Sequence, residues 1–121
     1  MIDDDPGMRS LMQRGLRLAG YNVNVAHNGE AGIIAAARRR PDLVLLDLMM
    51  PGMGGFATLA RLQTMDSPPK VIVISGRDEA DDLARAGAAD RFLVKPVAFD
   101  ALLEAVSAVL REPPASGTEA P

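Results

Sequence analysis

Two stretches of the sequence are apolar at every position, and each ends at a polar side chain. One stretch, Leu43 to Leu46, is followed by Asp47, and the other, Val71 to Ile74, is followed by Ser75. A strand that is buried on both faces of a parallel sheet needs no polar alternation, so both stretches predict such strands. The glycine- and proline-rich segment from Pro51 to Gly55 predicts an irregular loop after the first of them.

Three weaker patterns predict further strands. The segment from Tyr21 to Ala26 alternates apolar and polar residues, which is typical of a strand with one exposed face. Phe92 to Val94 predicts a short last strand. At the start of the chain, only Met1 and Ile2 precede a run of acidic residues, so any first strand is short.

The segments between these predicted strands have apolar residues at helical spacing, so each predicts a helix. The first predicted helix has Asp5 as its cap and Pro6 as its first residue. The others cover Gly29 to Arg40, Phe56 to Met65, Asp78 to Ala86 and Phe99 to Arg111. The helix over 78–86 is predicted to be mobile, because Leu83 is its only large aliphatic residue.

The same spacing predicts which face of each helix is buried. In the first helix the predicted face is Met8, Leu11, Met12 and Leu18; in the second, Ala31, Ile34, Ala35 and Ala37; in the third, Leu59 and Leu62; and in the last, Phe99, Leu102, Leu103, Val106, Val109 and Leu110. The arginines at 38–40 have two interpretations. They form either a docking patch or, as we favour, the cationic last turn of a helix.

Alternating strands and helices predict a parallel sheet with helices on both faces. With 121 residues, the chain suits one domain. We expect this domain over residues 1–111, and a disordered tail or the start of a linker over 112–121, where proline, alanine and glycine are frequent.

Composition excludes several classes of function. The chain has no cysteine and one histidine, which excludes thiolate metal sites and most zinc sites. A net charge of -3 gives no reason to expect binding to nucleic acid or to an anionic membrane. No apolar run approaches the roughly 20 residues of a membrane helix, so we expect a cytoplasmic protein.

Polar side chains follow four of the predicted strands. Asp3 and Asp4 follow the first, Asp47 the third, Ser75 the fourth and Lys95 the fifth. Because the carboxyl ends of parallel strands share one edge, these groups should converge there. Clustered carboxylates call for a counter-charge, and oxygen ligands suit Mg2+. A carboxylate beside Mg2+ and a lysine is well placed to accept a phosphoryl group.

These motifs closely resemble the receiver domain of two-component response regulators. The resemblance covers residues 1–111 and rests on four motifs in order: Asp3-Asp4-Asp5-Pro6, Asp47-Leu48-Met49-Met50-Pro51-Gly52-Met53 with Gly55, Ser75-Gly76, and Lys95-Pro96. It implies an α/β flavodoxin-like (βα)5 fold, doubly wound, with strand order 2-1-3-4-5 and here a first strand shortened at its start.

The resemblance also implies a role for each matching residue. Asp47 would be the phosphoacceptor. Asp4, Asp47 and the backbone carbonyl of Met49 would bind Mg2+, and Asp3 would act through water. Ser75 and Lys95 would contact the phosphoryl group, Phe92 would turn inward on phosphorylation, and the bond before Pro96 would be cis.

The implied function is a phosphorylation switch in a two-component phosphorelay. A histidine kinase or phosphotransfer protein would supply the phosphoryl group. The face of the fourth helix, fifth strand and fifth helix (the α4-β5-α5 face of the family) would signal to a downstream protein or to an output domain absent from this chain. Such a domain is a phosphoacceptor and not an enzyme with a separate substrate, although the family catalyses its own phosphorylation and dephosphorylation.

Two features of the sequence depart from the family pattern. Gly54 stands where Asp or Asn is frequent, and the first strand has lost aliphatic residues that the family has before its acidic pair. A shortened central strand predicts lowered stability, or compensation by a homodimer or strand exchange. It also leaves open an alternative, a phosphorylation-independent interaction module with the receiver fold.

Two enzyme-like interpretations fit less well. An aspartate-nucleophile phosphatase of the haloacid dehalogenase type needs a second acid two residues after the nucleophile, where this chain has Met49. A dinucleotide site would need the spacing G-x-G-x-x-G, which Gly52, Gly54 and Gly55 do not provide.

Overall fold

The computed structural model describes residues 1–2, 6–48, 55–76 and 89–111. The described strands and helices, in chain order, are α1 (Pro6–Leu18), α2 (Gly29–Arg39), β1 (Leu43–Asp47), α3 (Gly55–Gln63), β2 (Lys70–Ser75), β3 (Arg91–Val94) and α4 (Phe99–Arg111). The predicted helix over 78–86 and the predicted tail over 112–121 lie outside the described residues. Helix α4 is therefore the last helix of the sequence prediction, and β1 to β3 are its third to fifth strands.

The strands β1, β2 and β3 form a parallel sheet in that order. Ile2 extends this sheet on the β1 side, because it forms parallel bridges both to Leu46 and to Ala26. Its N–H donates to the Leu45 carbonyl over 2.8 Å, and its carbonyl accepts from the Asp47 N–H over 3.0 Å. The predicted flavodoxin-like order 2-1-3-4-5 is confirmed, and within the part of the chain that the structure describes the first strand pairs at Met1 and Ile2.

The prediction of a full strand from Tyr21 to Ala26 is wrong. Only Ala26 pairs, with its N–H donating to the Met1 carbonyl over 2.9 Å. The reason is the short first strand, since Asn24, whose carbonyl accepts from the Met1 amino group, is the one residue of 21–25 with a first-strand partner among the described residues.

The sheet separates two apolar layers. On one face, side chains of α2 and α3 pack against Ile2, Val44, Leu46, Val71 and Val73. On the other face, side chains of α1 and α4 pack against Val23, Leu45, Ile72 and Ile74. Consecutive residues of β1 and β2 thus enter opposite layers, which explains why both strands are apolar at every position.

The buried face of α1 differs from the predicted one. Met12 and Leu16 are buried, whereas Met8, Leu11 and Leu18 are exposed. The cause is a close approach at Gly15, where an added Cβ would lie 2.5 Å from the Phe99 ring. The helix is therefore rotated so that its glycine faces α4.

The buried face of α2 is likewise displaced from the prediction. Gly32, Ile33 and Ala36 are buried, while Ile34 is 55% exposed and Ala37 is exposed. Gly32 lies directly under the Ile2 side chain, and a Cβ at this position would collide with it. A glycine contact therefore sets the rotation of this helix as well.

Most of the residues that were predicted to face inward in the two later helices are buried. Leu59 and Leu62 of α3 are buried, as are Leu102, Val106 and Val109 of α4, whereas Leu110 is exposed. No helix within residues 6–48, 55–76 and 89–111 is long and apolar enough to cross a membrane.

Candidate functional site

The carboxyl edge of the sheet holds an ion pair between a buried carboxylate and a half-exposed lysine. Asp47 is the last residue of β1 and is 3% exposed. Its Oδ2 atom accepts a hydrogen bond from Lys95 Nζ over 3.0 Å, and the Lys95 side chain is 43% exposed. The lysine thus reaches from solvent to a carboxylate that is almost completely withdrawn from water. This pair joins two groups that the sequence predicted to converge.

Backbone hydrogen bonds fix the positions of these side chains. The Leu48 N–H donates to the Ile74 carbonyl over 3.0 Å, which ties the end of β1 to β2. The Lys95 N–H donates to the Ser75 carbonyl over 2.9 Å, which ties the end of β3 to β2. The three strand ends are therefore held side by side by the main chain.

Ser75 is fully buried at the end of β2. Its hydroxyl donates to the carbonyl of Gly76, the next residue, over 2.9 Å. A rotation about the Ser75 side-chain bond would redirect that O–H without breaking any sheet hydrogen bond. The hydroxyl is thus an adjustable donor at the same edge as Asp47.

Two further predicted residues lie on or next to β3. Phe92 pairs in register with Val73, is half-buried, and packs against the layer formed with α2 and α3. The peptide bond between Lys95 and Pro96 is cis.

The remaining predicted site residues, Asp3, Asp4 and Met49, lie outside the described residues. Within the described ranges, no group of three or more His, Asp or Glu residues could hold a metal ion. Ile2 is hydrogen-bonded to both Leu45 and Asp47, and Asp3 is the next residue of the sequence. The predicted metal ligands would all bind through oxygen atoms, which suit a hard divalent cation.

Gly55 contributes to the site in a way that sequence reasoning missed. A Cβ at Gly55 would collide with the Leu48 backbone and would come within 2.9 Å of the Leu48 carbonyl oxygen. The start of α3 can therefore approach the residue after Asp47 only because position 55 has no side chain. The paired glycines at 54 and 55 were the available signal, but they indicated only a loop.

The arrangement is chemically suited to an acceptor role. A carboxylate at low exposure next to an ammonium group can attack an electrophile whose developing negative charge the ammonium then stabilises. Nothing else at this edge of the described sheet combines a buried nucleophilic oxygen with a cation.

Comparison with known proteins gives one consistent family. A family model described as "Response regulator receiver domain" matches residues 1–107. The chain is 36% identical over 120 residues to the transcriptional regulatory protein PrrA of Mycobacterium leprae, covering 98% of this chain and 52% of PrrA. The chain thus spans about half the length of this curated relative.

Solved structures give the same result. The response regulator TrrA of Thermotoga maritima in complex with Mg(2+)-BeF matches with a TM-score of 0.80 and 30% identity, over 89% of this chain and 94% of TrrA. The receiver domain of NtrX from Brucella abortus matches with a TM-score of 0.84 and 27% identity, over 93% of this chain and 97% of that domain. The chain belongs to the receiver domain family of two-component response regulators.

Proposed function

We propose that Asp47 is the residue that accepts a phosphoryl group. The observation that carries this proposal is the 3.0 Å ion pair between Lys95 Nζ and the buried carboxylate of Asp47, at the edge where Ser75 also ends its strand. The carboxylate oxygen attacks phosphorus, the bond from phosphorus to the donor's leaving atom breaks, and the product is an aspartyl phosphate.

Lys95 and Ser75 act on the transferring group. Before transfer, Lys95 holds the Asp47 carboxylate in place, and afterwards the same ammonium pairs with a phosphoryl oxygen. The Ser75 hydroxyl, which now donates to the Gly76 carbonyl, rotates to donate to another phosphoryl oxygen. Both residues thus exchange one partner for another without leaving their strands.

We propose that Mg2+ binds at the same edge. Asp4, Asp47 and the carbonyl of Met49 would hold it, with Asp3 acting through water. The donor set fits, because all four offer oxygen. The ion would supply positive charge to neutralise the phosphoryl oxygens. The structure of TrrA, a complex with Mg(2+)-BeF, supports this assignment by similarity.

The output of the switch is a change of surface. Phosphorylation adds roughly -1.5 to -2 charge. Movement of Ser75 toward the phosphoryl group opens space beside β2, and Phe92, half-buried in register with Val73, turns into that space. The face that includes β3 and α4 then changes shape. A histidine kinase or phosphotransfer protein is the proposed donor, and a downstream protein or output domain the proposed reader, in the cytoplasm.

Intact-mass spectrometry after incubation with acetyl phosphate tests the acceptor. We expect an adduct of one phosphoryl group that requires Mg2+ and is absent in Asp47→Asn. Asp42→Asn is the matched control, because Asp42 is an exposed aspartate immediately before the opposite end of β1. Asp42→Asn should be phosphorylated as well as the parent chain.

Two results would contradict the proposal. An adduct that persists in Asp47→Asn would place the phosphoryl group elsewhere. No adduct in the parent chain, when Mg2+ is present and the protein is folded, would favour the alternative of a phosphorylation-independent interaction module.

A further inference from the structure

A row of three exposed side chains runs along the outer face of α2. Glu30, Ile34 and Arg38 are spaced four residues apart, so they form one ridge on the surface of the helix. Ile34 is 55% exposed, although it is a large aliphatic residue. The opposite side of the helix packs into the layer with β1 and β2. The row therefore presents an acid, an aliphatic side chain and a base to solvent, in that order.

Glu30 and Arg38 are charged residues without a partner on their own helix. Ion pairs within a helix join residues three or four positions apart, and the residue four positions from each of these two along the row is Ile34. Within the part of the chain that the structure describes, neither side chain forms an ion pair or a hydrogen bond. Both charges are thus available to a second molecule.

The row is complementary to a second copy of itself. Ile34 is its midpoint, with Glu30 and Arg38 each about 6 Å away along the helix axis. Two α2 helices that meet antiparallel, about a two-fold axis at Ile34, would place Glu30 of each copy opposite Arg38 of the other. Ile34 of one copy would then face Ile34 of the other. All three members of the row find a suitable partner in this one arrangement.

The residues beside the row allow two helices to approach closely. Ala31 and Ala35 flank it on one side and Ala37 flanks it on the other, and all three are at least partly exposed. The commonest packing of two helices sets the i±4 ridge of each into a groove of the other, with the axes about 8 to 10 Å apart. Alanine side chains on both sides of the row leave room in these grooves for the Ile34 side chain.

We propose that two copies of this chain associate through α2, in an antiparallel two-fold contact where Ile34 packs on Ile34 and Glu30 pairs with Arg38 twice. The contact lies on the opposite side of the sheet from α4 and uses no residue of the candidate site. It therefore forms without phosphorylation of Asp47. One pair of helices buries less than the roughly 1,200 Å2 of a standard interface, so we expect half of the chains to be dimeric at about 0.1 to 1 mM.

Two other partners fit this face less well. An acidic helix of another protein would pair with Arg38 but would place a like charge against Glu30. A duplex nucleic acid would meet the same carboxylate and would gain nothing from the exposed Ile34 side chain. A second copy satisfies both charges and the aliphatic residue with one set of side chains.

Analytical ultracentrifugation of the full, unphosphorylated chain in about 50 mM salt tests the contact by exchanging charges. We expect a concentration-dependent dimer that Glu30→Arg and Arg38→Glu each weaken at least about tenfold, because either reversal opposes two pairs of like charges. An equimolar mixture of these two variants should form a heterodimer about as strong as the parent dimer, since every arginine then meets a glutamate.

Arg14→Glu is the matched control for net charge. It makes the same change as Arg38→Glu at an exposed position of α1, a helix that packs in the other layer. The Arg14→Glu chain should dimerise as the parent does.

The double variant Glu30→Arg/Arg38→Glu separates the contact from effects on folding. It places a cation in the first turn of α2 and an anion in its last turn, which is the arrangement that the helix macrodipole disfavours. Its fold should therefore be less stable than that of either single variant, yet its dimer should recover. If the single variants lost the dimer only through a weakened helix, the double variant would dimerise least.

An engineered thiol locates the contact, because the chain has no cysteine. At about 1 mM, Ile34→Cys should oxidise to a disulfide-linked dimer at least about tenfold faster than Leu18→Cys, which places the thiol at the more exposed position on α1. Four results would overturn the proposal: a parent chain that is monomeric at about 1 mM, equal weakening by Arg14→Glu and Arg38→Glu, no heterodimer in the mixture, or equal rates of oxidation.

Discussion

At the residue scale, Asp47 is a charged side chain in a buried position. Its carboxylate is 3% exposed and has its ammonium partner 3.0 Å away. Taking a carboxylate out of water costs free energy that a paired cation offsets. Removing the cation therefore differs from removing both members of the pair, because only the first change leaves a buried charge without its counter-ion.

We predict that Lys95→Met lowers the free energy of unfolding by about 1 to 2 kcal/mol, since the half-exposed lysine is partly screened. The same substitution in an Asp47→Asn background should cost less than about 0.5 kcal/mol. Urea denaturation in EDTA measures both differences. An equal cost in the two backgrounds would mean that Lys95 stabilises the fold through its aliphatic stem and not through Asp47.

The Met1 amino group gives the protein a stability that depends on pH. Its pKa is lowered by burial from 8.0 to about 6, so the unfolded chain binds more protons than the folded chain between these values. In a chain with a free Met1 amino group, stability contributed by this group should rise from pH 6 to pH 8 and be constant on either side. Partial solvent access limits the rise to at most about 2 kcal/mol.

Denaturation across this pH range, with and without acetylation of the amino group, isolates the effect. The acetylated chain retains every side chain of the parent, but it cannot take up the proton at Met1. The two curves should therefore converge near pH 8 and separate toward pH 6. Curves that stay parallel would contradict the assignment.

At the scale of elements, helix α2 is followed by a strained residue. Arg40 has φ 49 and ψ 64, the left-handed conformation that glycine adopts without a steric penalty, and its N–H donates to the Ala36 carbonyl. Arg39, one residue earlier, is still helical. The two arginines therefore have the same side chain in opposite backbone environments.

We predict that Arg40→Gly raises the free energy of unfolding by about 0.5 to 1 kcal/mol, whereas Arg39→Gly lowers it by about 1 kcal/mol. Both variants lose one positive charge near the helix carboxyl end, so the difference between them reports backbone conformation. Thermal or urea unfolding of the two variants and the parent chain measures this difference. A loss of stability in both would show that charge at this helix end outweighs backbone strain.

The elements also show where sequence patterns stop being informative. Binary patterning identified β1, β2 and α4 closely because each is decided by its own apolar residues. The rotations of α1 and α2 were mispredicted because contacts with other elements decide them: Gly15 against Phe99, and Gly32 against Ile2. The segment from Tyr21 to Ala26 alternates like a strand, but its neighbour along the sheet is too short to pair with it.

The sequence predicts more of the candidate site than of the buried faces of the helices. Asp47 and Lys95 are far apart in sequence, yet both follow strands of one parallel sheet, and that topology alone brings them to the same edge. The role of Gly55 could not be predicted, because it depends on how closely α3 passes Leu48.

At the scale of the whole molecule, net charge bears on the expected affinity of this chain for nucleic acid. The net charge is -3, and the chain spans about half of a relative named as a transcriptional regulatory protein. Counter-ion release, which dominates affinity for DNA, requires clustered cations. We therefore propose that any contact with DNA belongs to a part of the relative outside the matched region.

We predict that this chain shows no binding to duplex DNA by fluorescence anisotropy in about 50 mM salt, with or without acetyl phosphate and Mg2+. Low salt is the sensitive condition, because phosphate contacts are strongest there. Binding that weakens steeply between about 50 and 200 mM salt would contradict the prediction.

The bridges of Ile2 to Ala26 and Leu46 also bear on how the protein folds during synthesis. Both partners of Ile2 follow it in the chain, and α4, which closes the other layer, follows them. At roughly 5 to 20 residues per second, the ribosome takes about 2 to 9 seconds to reach the later partner, Leu46. Until Leu46 is made, Ile2 lacks one of its two bridge partners, so its side chain cannot yet pack in the complete layer.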